Sequence, residues 1–118
     1  MRGKGVYDEI KKLLIAGADI NVKNRNGETA LMFASVLGYN DILKLLLRMG
    51  ADVNIKNSEK DTALIYAARG GYKDIVSLLL KNGADINARN MYGDDALSEA
   101  RRIGNRDVED FLIKKGAR

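Results

Sequence analysis

Residues 27–54 read GETALMFASVLGYNDILKLLLRMGADVN, and residues 60–87 read KDTALIYAARGGYKDIVSLLLKNGADIN. The second stretch repeats the pattern of the first, shifted by 33 positions. Over a whole period, 22–54 against 55–87, 17 of 33 positions are identical. Gly-Ala-Asp begins at Gly17, Gly50 and Gly83, Gly116-Ala117 starts a further copy, and residues 88–118 keep the register more loosely. Most of the chain is therefore one unit repeated, and the unit decides the fold.

Within the unit the local signals run in a fixed order. Lys23 to Gly27 reads as a turn. Thr29 offers a hydroxyl oxygen as a helix N-cap, and a short helix with Ala30, Leu31, Ala34 and Ser35 follows. Gly38 ends it and supplies the left-handed residue that a helix–helix turn uses. Asp41 opens a second helix with a charge suited to its dipole. Ile42, Leu43, Leu46 and Leu47 form one apolar stripe on that helix. Gly50 stops it, and Asp52 and Asn54 offer side-chain acceptors to the next turn. The second copy repeats these signals from Thr62 to Asn87, and in the third Asp95 replaces the threonine cap. Helices of about nine residues are not stable alone in water. They persist only if neighbouring copies stack, which predicts an all-α solenoid.

These residues resemble the ankyrin repeat: Gly27-Glu28-Thr29-Ala30-Leu31-Met32 at the opening, Gly38-Tyr39 in the middle and Gly50-Ala51-Asp52-Val53-Asn54 at the close. The resemblance implies an ankyrin-repeat solenoid of stacked helix-turn-helix units joined by β-turn fingers. One domain is expected, made of a half repeat (1–21), full repeats (22–54 and 55–87) and a C-terminal capping repeat (88–118). Counting back one period from Asp41 reaches Asp8, so residues 6–16 are expected to form a second helix without its first. The polar run from Arg101 to Lys115 suits a terminal cap, and the N-terminal end is expected to be the frailer.

The chain departs from the family consistently. Its proline is Ala30, Ala63 and Ala96, its first histidine is Met32, Ile65 and Ser98, and its second is Tyr39, Tyr72 and Asn105. Apolar packing is expected at Met32 and Ile65 in place of imidazole hydrogen bonds. Lys60 stands where the family has a turn glycine. A positive φ kept there costs about 1 kcal/mol.

Composition narrows the chemistry. The 118 residues include no Cys, His, Pro or Trp, 46% are hydrophobic, 31% are charged and the net charge is +4. Without Cys or His there is no thiolate nucleophile, no imidazole general base and no Cys/His zinc site. Asp95 is accounted for as a cap, and Asp107, Glu109 and Asp110 as the acidic start of a helix. Gly3-Lys4-Gly5 lacks the strand and the Ser/Thr of a phosphate loop. No enzyme, cofactor or metal is expected. No apolar run approaches the ~20 residues of a spanning helix. The basic start runs into Tyr7-Asp8-Glu9 without an apolar core, so neither membrane nor signal peptide is expected and a cytoplasmic location is.

Ankyrin-like proteins bind other proteins through the turn tips and the exposed face of each first helix. The resemblance places Arg25 and Asn26, Ser58 and Glu59, and Met91 and Tyr92 at the tips. Positions 33, 36 and 37 share a helix face by spacing, which selects Phe33, Val36 and Leu37, then Tyr66 and Arg69, then Glu99 and Arg102. Phe33, Val36, Leu37 and Tyr66 read either as an apolar anchor for a partner or as a face partly buried against turn residues. On this surface Lys23, Arg25, Lys56, Arg69, Arg89 and Arg102 face Glu28, Glu59, Asp61, Asp94 and Glu99. That is no single-sign stripe, so nucleic acid is not expected. The reading is a non-catalytic module that binds another protein through its concave surface. The alternative is an assembly module stacking on itself or on neighbouring repeats through the N-terminal end; otherwise a monomer is expected.

Overall fold

Thr29 and Thr62 each accept a backbone N–H three residues ahead, from Met32 and Ile65, at 3.3 Å. That bond satisfies an otherwise orphaned helix donor and starts α1 (Ala30–Leu37) and α3 (Ala63–Gly70). In the third copy Asp95 accepts from the Ser98 N–H at 2.9 Å, and Ser98 Oγ accepts from the Asp95 N–H at 2.8 Å. This closed capping box opens α5 (Ala96–Ile103). Ser98, at the family's first histidine position, thus serves the cap, while Met32 and Ile65 are fully buried apolar side chains.

The second helices are α2 (Asn40–Arg48), α4 (Lys73–Lys81) and α6 (Arg106–Lys114). The computed structural model describes Asp8 and residues 19–117. The helix expected over 6–16 lies outside the described residues except for Asp8, which is helical and exposed. Six helices are described in full and no strand occurs among the described residues. First helices begin at 30, 63 and 96 and second helices at 40, 73 and 106, so the period of the sequence is the period of the structure.

Each pair turns at a glycine. Gly38 has φ 76°, and a Cβ placed on it would fall 2.6 Å from the Tyr72 ring of the next repeat. Left-handed backbone and ring contact both demand glycine there. Tyr72 gives no side-chain cap to α4, whereas Asn105 caps α6 by accepting from the Val108 N–H at 3.1 Å. Asp41 and Asp74 sit in the first turns of α2 and α4, one position inside the helix, where a carboxylate still complements the dipole.

Two layers result, one of α1, α3 and α5 and one of α2, α4 and α6, with the core between and along them. Leu31, Leu43, Leu46, Leu64, Ile75, Leu79, Leu97 and Leu112 are its large members. Ala34, Ala67 and Ala100 are wholly buried, and their small size lets the first helices approach.

Lys60 keeps the glycine geometry of its family position, with φ 64°. Lys60→Gly is expected to raise stability by up to about 0.5 kcal/mol, the relief of a left-handed side chain less the extra freedom of glycine in the unfolded chain. Urea unfolding checks it: an unchanged or lower midpoint would mean that the strain at Lys60 does not exceed the freedom that glycine adds to the unfolded chain.

Candidate functional site

Three asparagines one period apart build the fingers. Asn24 Oδ1 accepts the N–H groups of Asn26 and Glu28, each at 2.9 Å. Asn57 does the same for Glu59 and Asp61, and Asn90 for Tyr92 and Asp94, at 2.9–3.0 Å. One short side chain thus replaces two solvent contacts of the turn backbone. The fingers then join edge to edge: the Ser58 N–H donates to Asn26 O at 3.0 Å, and the Met91 N–H to Glu59 O at 2.9 Å. The expected Asp and Asn acceptors of the following turns are realised too, with Asn54 Oδ1 accepting from the Asp85 N–H at 2.8 Å. Asn24, Asn57 and Asn90 escaped the sequence reading, although their common register was visible.

The expected contact residues separate into three groups. Arg25, Asn26, Ser58, Glu59, Met91 and Tyr92 are exposed at the fingers, Tyr92 with 67% of its surface. Leu37 and Arg102 are exposed on the first helices, and Phe33, Val36 and Arg69 are half-buried, Val36 against the core. Glu99, expected on the exposed face, is instead buried, at 3% exposure, and Tyr66 is buried at 9%, which agrees with the second of its two readings, a face covered by turn residues. The reason lies in the neighbouring repeats. Tyr66 Oη donates to Glu28 Oε2 of the preceding finger at 3.0 Å and accepts from Asn57 Nδ2 at 2.9 Å. Glu99 Oε2 accepts from Arg69 Nη2 at 2.8 Å, and its other oxygen is held by Arg102.

Arg69 is the centre of this arrangement. Besides Glu99 it reaches Asp61, another acid expected at the surface but only 2% exposed, at 3.2 Å. Asn90 Nδ2 donates to the same Asp61 oxygen at 2.9 Å. The guanidinium lies 5.4 Å from the centroid of the Tyr66 ring, within cation–π range. Asp61, Arg69, Glu99 and Arg102 therefore form a closed cluster of two acids and two bases. Removing the buried Asp61 and Glu99 and the half-buried Arg69 from the surface tally leaves Lys23, Arg25, Lys56, Arg89 and Arg102 against Glu28, Glu59 and Asp94, still of mixed sign.

The ionisations follow the contacts. Burial opposes the charge of Glu99, but the hydrogen bonds from Arg69 and Arg102 outweigh it and hold the carboxyl below the usual range. Burial likewise opposes the charge of Arg69, and its bonds to Glu99 and Asp61 reverse the effect and raise it. Burial, then the hydrogen bond to Glu28 and that residue's charge, push Tyr66 up to about 12. The hydrogen bond to Glu59 raises Tyr92.

Tyr66 is therefore expected to ionise near pH 12, and Glu28→Gln to lower that value, as read by tyrosinate absorbance. Because the folded state holds this proton more tightly than the unfolded chain, stability is intact below the ordinary tyrosine value of about 10 and falls as pH rises from there towards 12. Unchanged titration in Glu28→Gln would contradict the assignment.

Among the described residues no group of three or more His, Cys, Asp or Glu could hold a metal ion, and no helix is long and apolar enough to cross a membrane. A family model described as ankyrin repeats, in three copies, matches residues 2–90 and 38–118. The chain belongs to the ankyrin repeat family. A comparison with curated proteins gave no match. Ankyrin repeats are in general protein–protein interaction modules and non-catalytic scaffolds. In the ankyrin framework each finger is the connection into a first helix, and because consecutive first helices are stacked, consecutive fingers are brought side by side and bond to one another.

Proposed function

We propose that this chain is a non-catalytic module that binds another protein through the fingers and the exposed parts of the first helices. The observation that carries this reading is the third finger. Met91 and Tyr92 are large, exposed side chains on a turn already fixed by Asn90, and Tyr92 Oη is tied to Glu59 Oε2 at 2.8 Å. An anchor held in place before binding loses little entropy on contact, which is what recognition surfaces exploit. Arg25, Asn26, Ser58, Glu59, Leu37 and Arg102 complete the surface, with Phe33, Val36 and Arg69 behind it; Tyr66 and Glu99 support it from beneath. The mixed charge favours a protein partner over nucleic acid, and nothing in the face calls for a cofactor. The repeat boundaries and the cytoplasmic location of the sequence reading accord with this role and add nothing to its support. The assembly alternative concerns the N-terminal end, most of which lies outside the described residues.

The test uses the full chain as bait in quantitative capture of cellular partners. Met91→Ser and Tyr92→Ala are expected to reduce capture about tenfold or more, the loss of one anchor contact, with melting temperature unchanged. Lys44→Ala on the opposite layer should leave capture intact. Equal capture by all variants, or loss with Lys44→Ala alone, would overturn the assignment.

A further inference from the structure

Glu28 and Glu59 differ from the acids of the closed cluster. Asp61 and Glu99 are bridged by arginine, whereas neither Glu28 nor Glu59 has a cation within 4.0 Å among the described residues. Both are instead held by neutral donors. Glu28 receives Asn24 Nδ2 at 3.0 Å and Tyr66 Oη at 3.0 Å, and Glu59 receives Tyr92 Oη at 2.8 Å. Neutral donors orient a carboxylate without cancelling its charge, and each oxygen keeps a further acceptor site. The two glutamates line one cleft of about 340 Å³ between the first and second fingers, together with Asn26, Asn57, Ser58 and Tyr66.

We infer that this cleft receives a lysine or arginine side chain of the partner protein, its cationic head hydrogen-bonding to Glu28 and Glu59. Four features favour that occupant over others. The charge is concave and uncompensated in a chain whose net charge is +4, so the local field opposes the global one. The acceptors are fixed from two different repeats, which lowers the cost of ordering them on binding. The Ser58 N–H and hydroxyl both donate to Asn26 O, and Asn57 Nδ2 donates to Tyr66 Oη, so these donors of the walls are already spent. The exposed Tyr92 ring, tethered to Glu59, offers an aromatic surface to the stem or head of an incoming cation. The raised ionisation of Tyr66, set partly by Glu28, reports the same negative field.

The inference rests on the partner-binding reading above and adds the chemistry of one contact. Tetralysine and tetraglutamate peptides are titrated into the isotope-labelled full chain and followed by amide NMR. Tetralysine is expected to shift the Asn26, Ser58 and Glu59 amides saturably, and tetraglutamate to leave them unmoved. Glu28→Gln and Glu59→Gln retain an acceptor for the tyrosines but lose the charge, and each should weaken tetralysine about five- to tenfold, as expected of a partly desolvated ion pair. Absent or non-saturable shifts, equal response to both peptides, or unchanged affinity in both variants overturns the inference. If the double glutamine variant still captures cellular partners while Tyr92→Ala does not, the cationic contact falls and the recognition surface stands. If neither substitution alters capture, the surface falls as well.

Discussion

Arg69→Ala is expected to cost about 3–5 kcal/mol at neutral pH, the range for leaving a buried charge without its partner, and to lower the melting temperature by on the order of 15 °C. One-third exposure would ordinarily mark this arginine as a surface residue worth well under 1 kcal/mol. Its partners decide otherwise. Asp61 and Glu99 are both nearly inaccessible, and the guanidinium joins them across two repeats. Alanine would leave two carboxylates facing protein instead of water, with only Asn90 on Asp61 and Arg102 on Glu99. Arg101→Ala is the control. Its bridge to Glu109 at 3.1 Å is more exposed on both sides, so the loss should stay below about 1 kcal/mol.

The pH dependence gives the mechanism a second check. Glu99 has a lowered value in the folded protein, so its contribution is complete above the ordinary carboxylate range and is lost as pH falls through the lowered value. Without Arg69 the balance at Glu99 tilts towards burial, which favours the neutral acid. Acidification should then cost the wild type more than the variant, and the gap between them should narrow. Chemical denaturation across that range measures it. A constant gap would mean that Arg69 acts through packing on Tyr66 and not through charge.

The contrast between Arg69 and Thr29 shows what one sequence can disclose. Caps, turn glycines and apolar stripes are local devices whose partners lie within about four residues, so a 33-residue period makes them legible. Gly38, Thr62 and the burial of Leu43 and Leu64 required nothing else. Lys60 followed the same logic, since a repeat holds its backbone even where one copy lacks the preferred residue. Helical spacing identifies a face but not what a neighbouring repeat lays over it, so Tyr66 kept two readings and Glu99 was expected in solvent. Their partners Glu28 and Arg69 lie 38 and 30 positions away. Asp61 looked like a solvated turn acid for the same reason, its two partners being on a helix and on the following finger. The tip residues were legible by register, but their rigidity came from Asn57 and Asn90, which looked like ordinary turn composition.

Leu64→Ala tests how the repeats share stability. Leu64 is buried in α3, the first helix with neighbours on both sides, α1 and α5. Truncation should cost about 2–5 kcal/mol, transfer and cavity together. In a solenoid, stability is the sum of unit terms and interface terms between neighbours. A species unfolded only in its centre forfeits both interfaces and is scarcely populated. The loss in Leu64→Ala should therefore appear as a lower midpoint of one transition with an unchanged denaturant slope. Leu112→Ala removes an equally buried leucine from α6, in the last of the described helix pairs. There the damaged repeat can open after breaking one interface, so the transition should broaden and its apparent slope fall. Identical slopes in the two variants would mean that the repeats unfold as one indivisible unit. A broadened transition in Leu64→Ala alone would mean that the centre, and not the edge, is where the stack divides. The expected ordering follows from position in the stack, because burial and chemistry are the same at both sites.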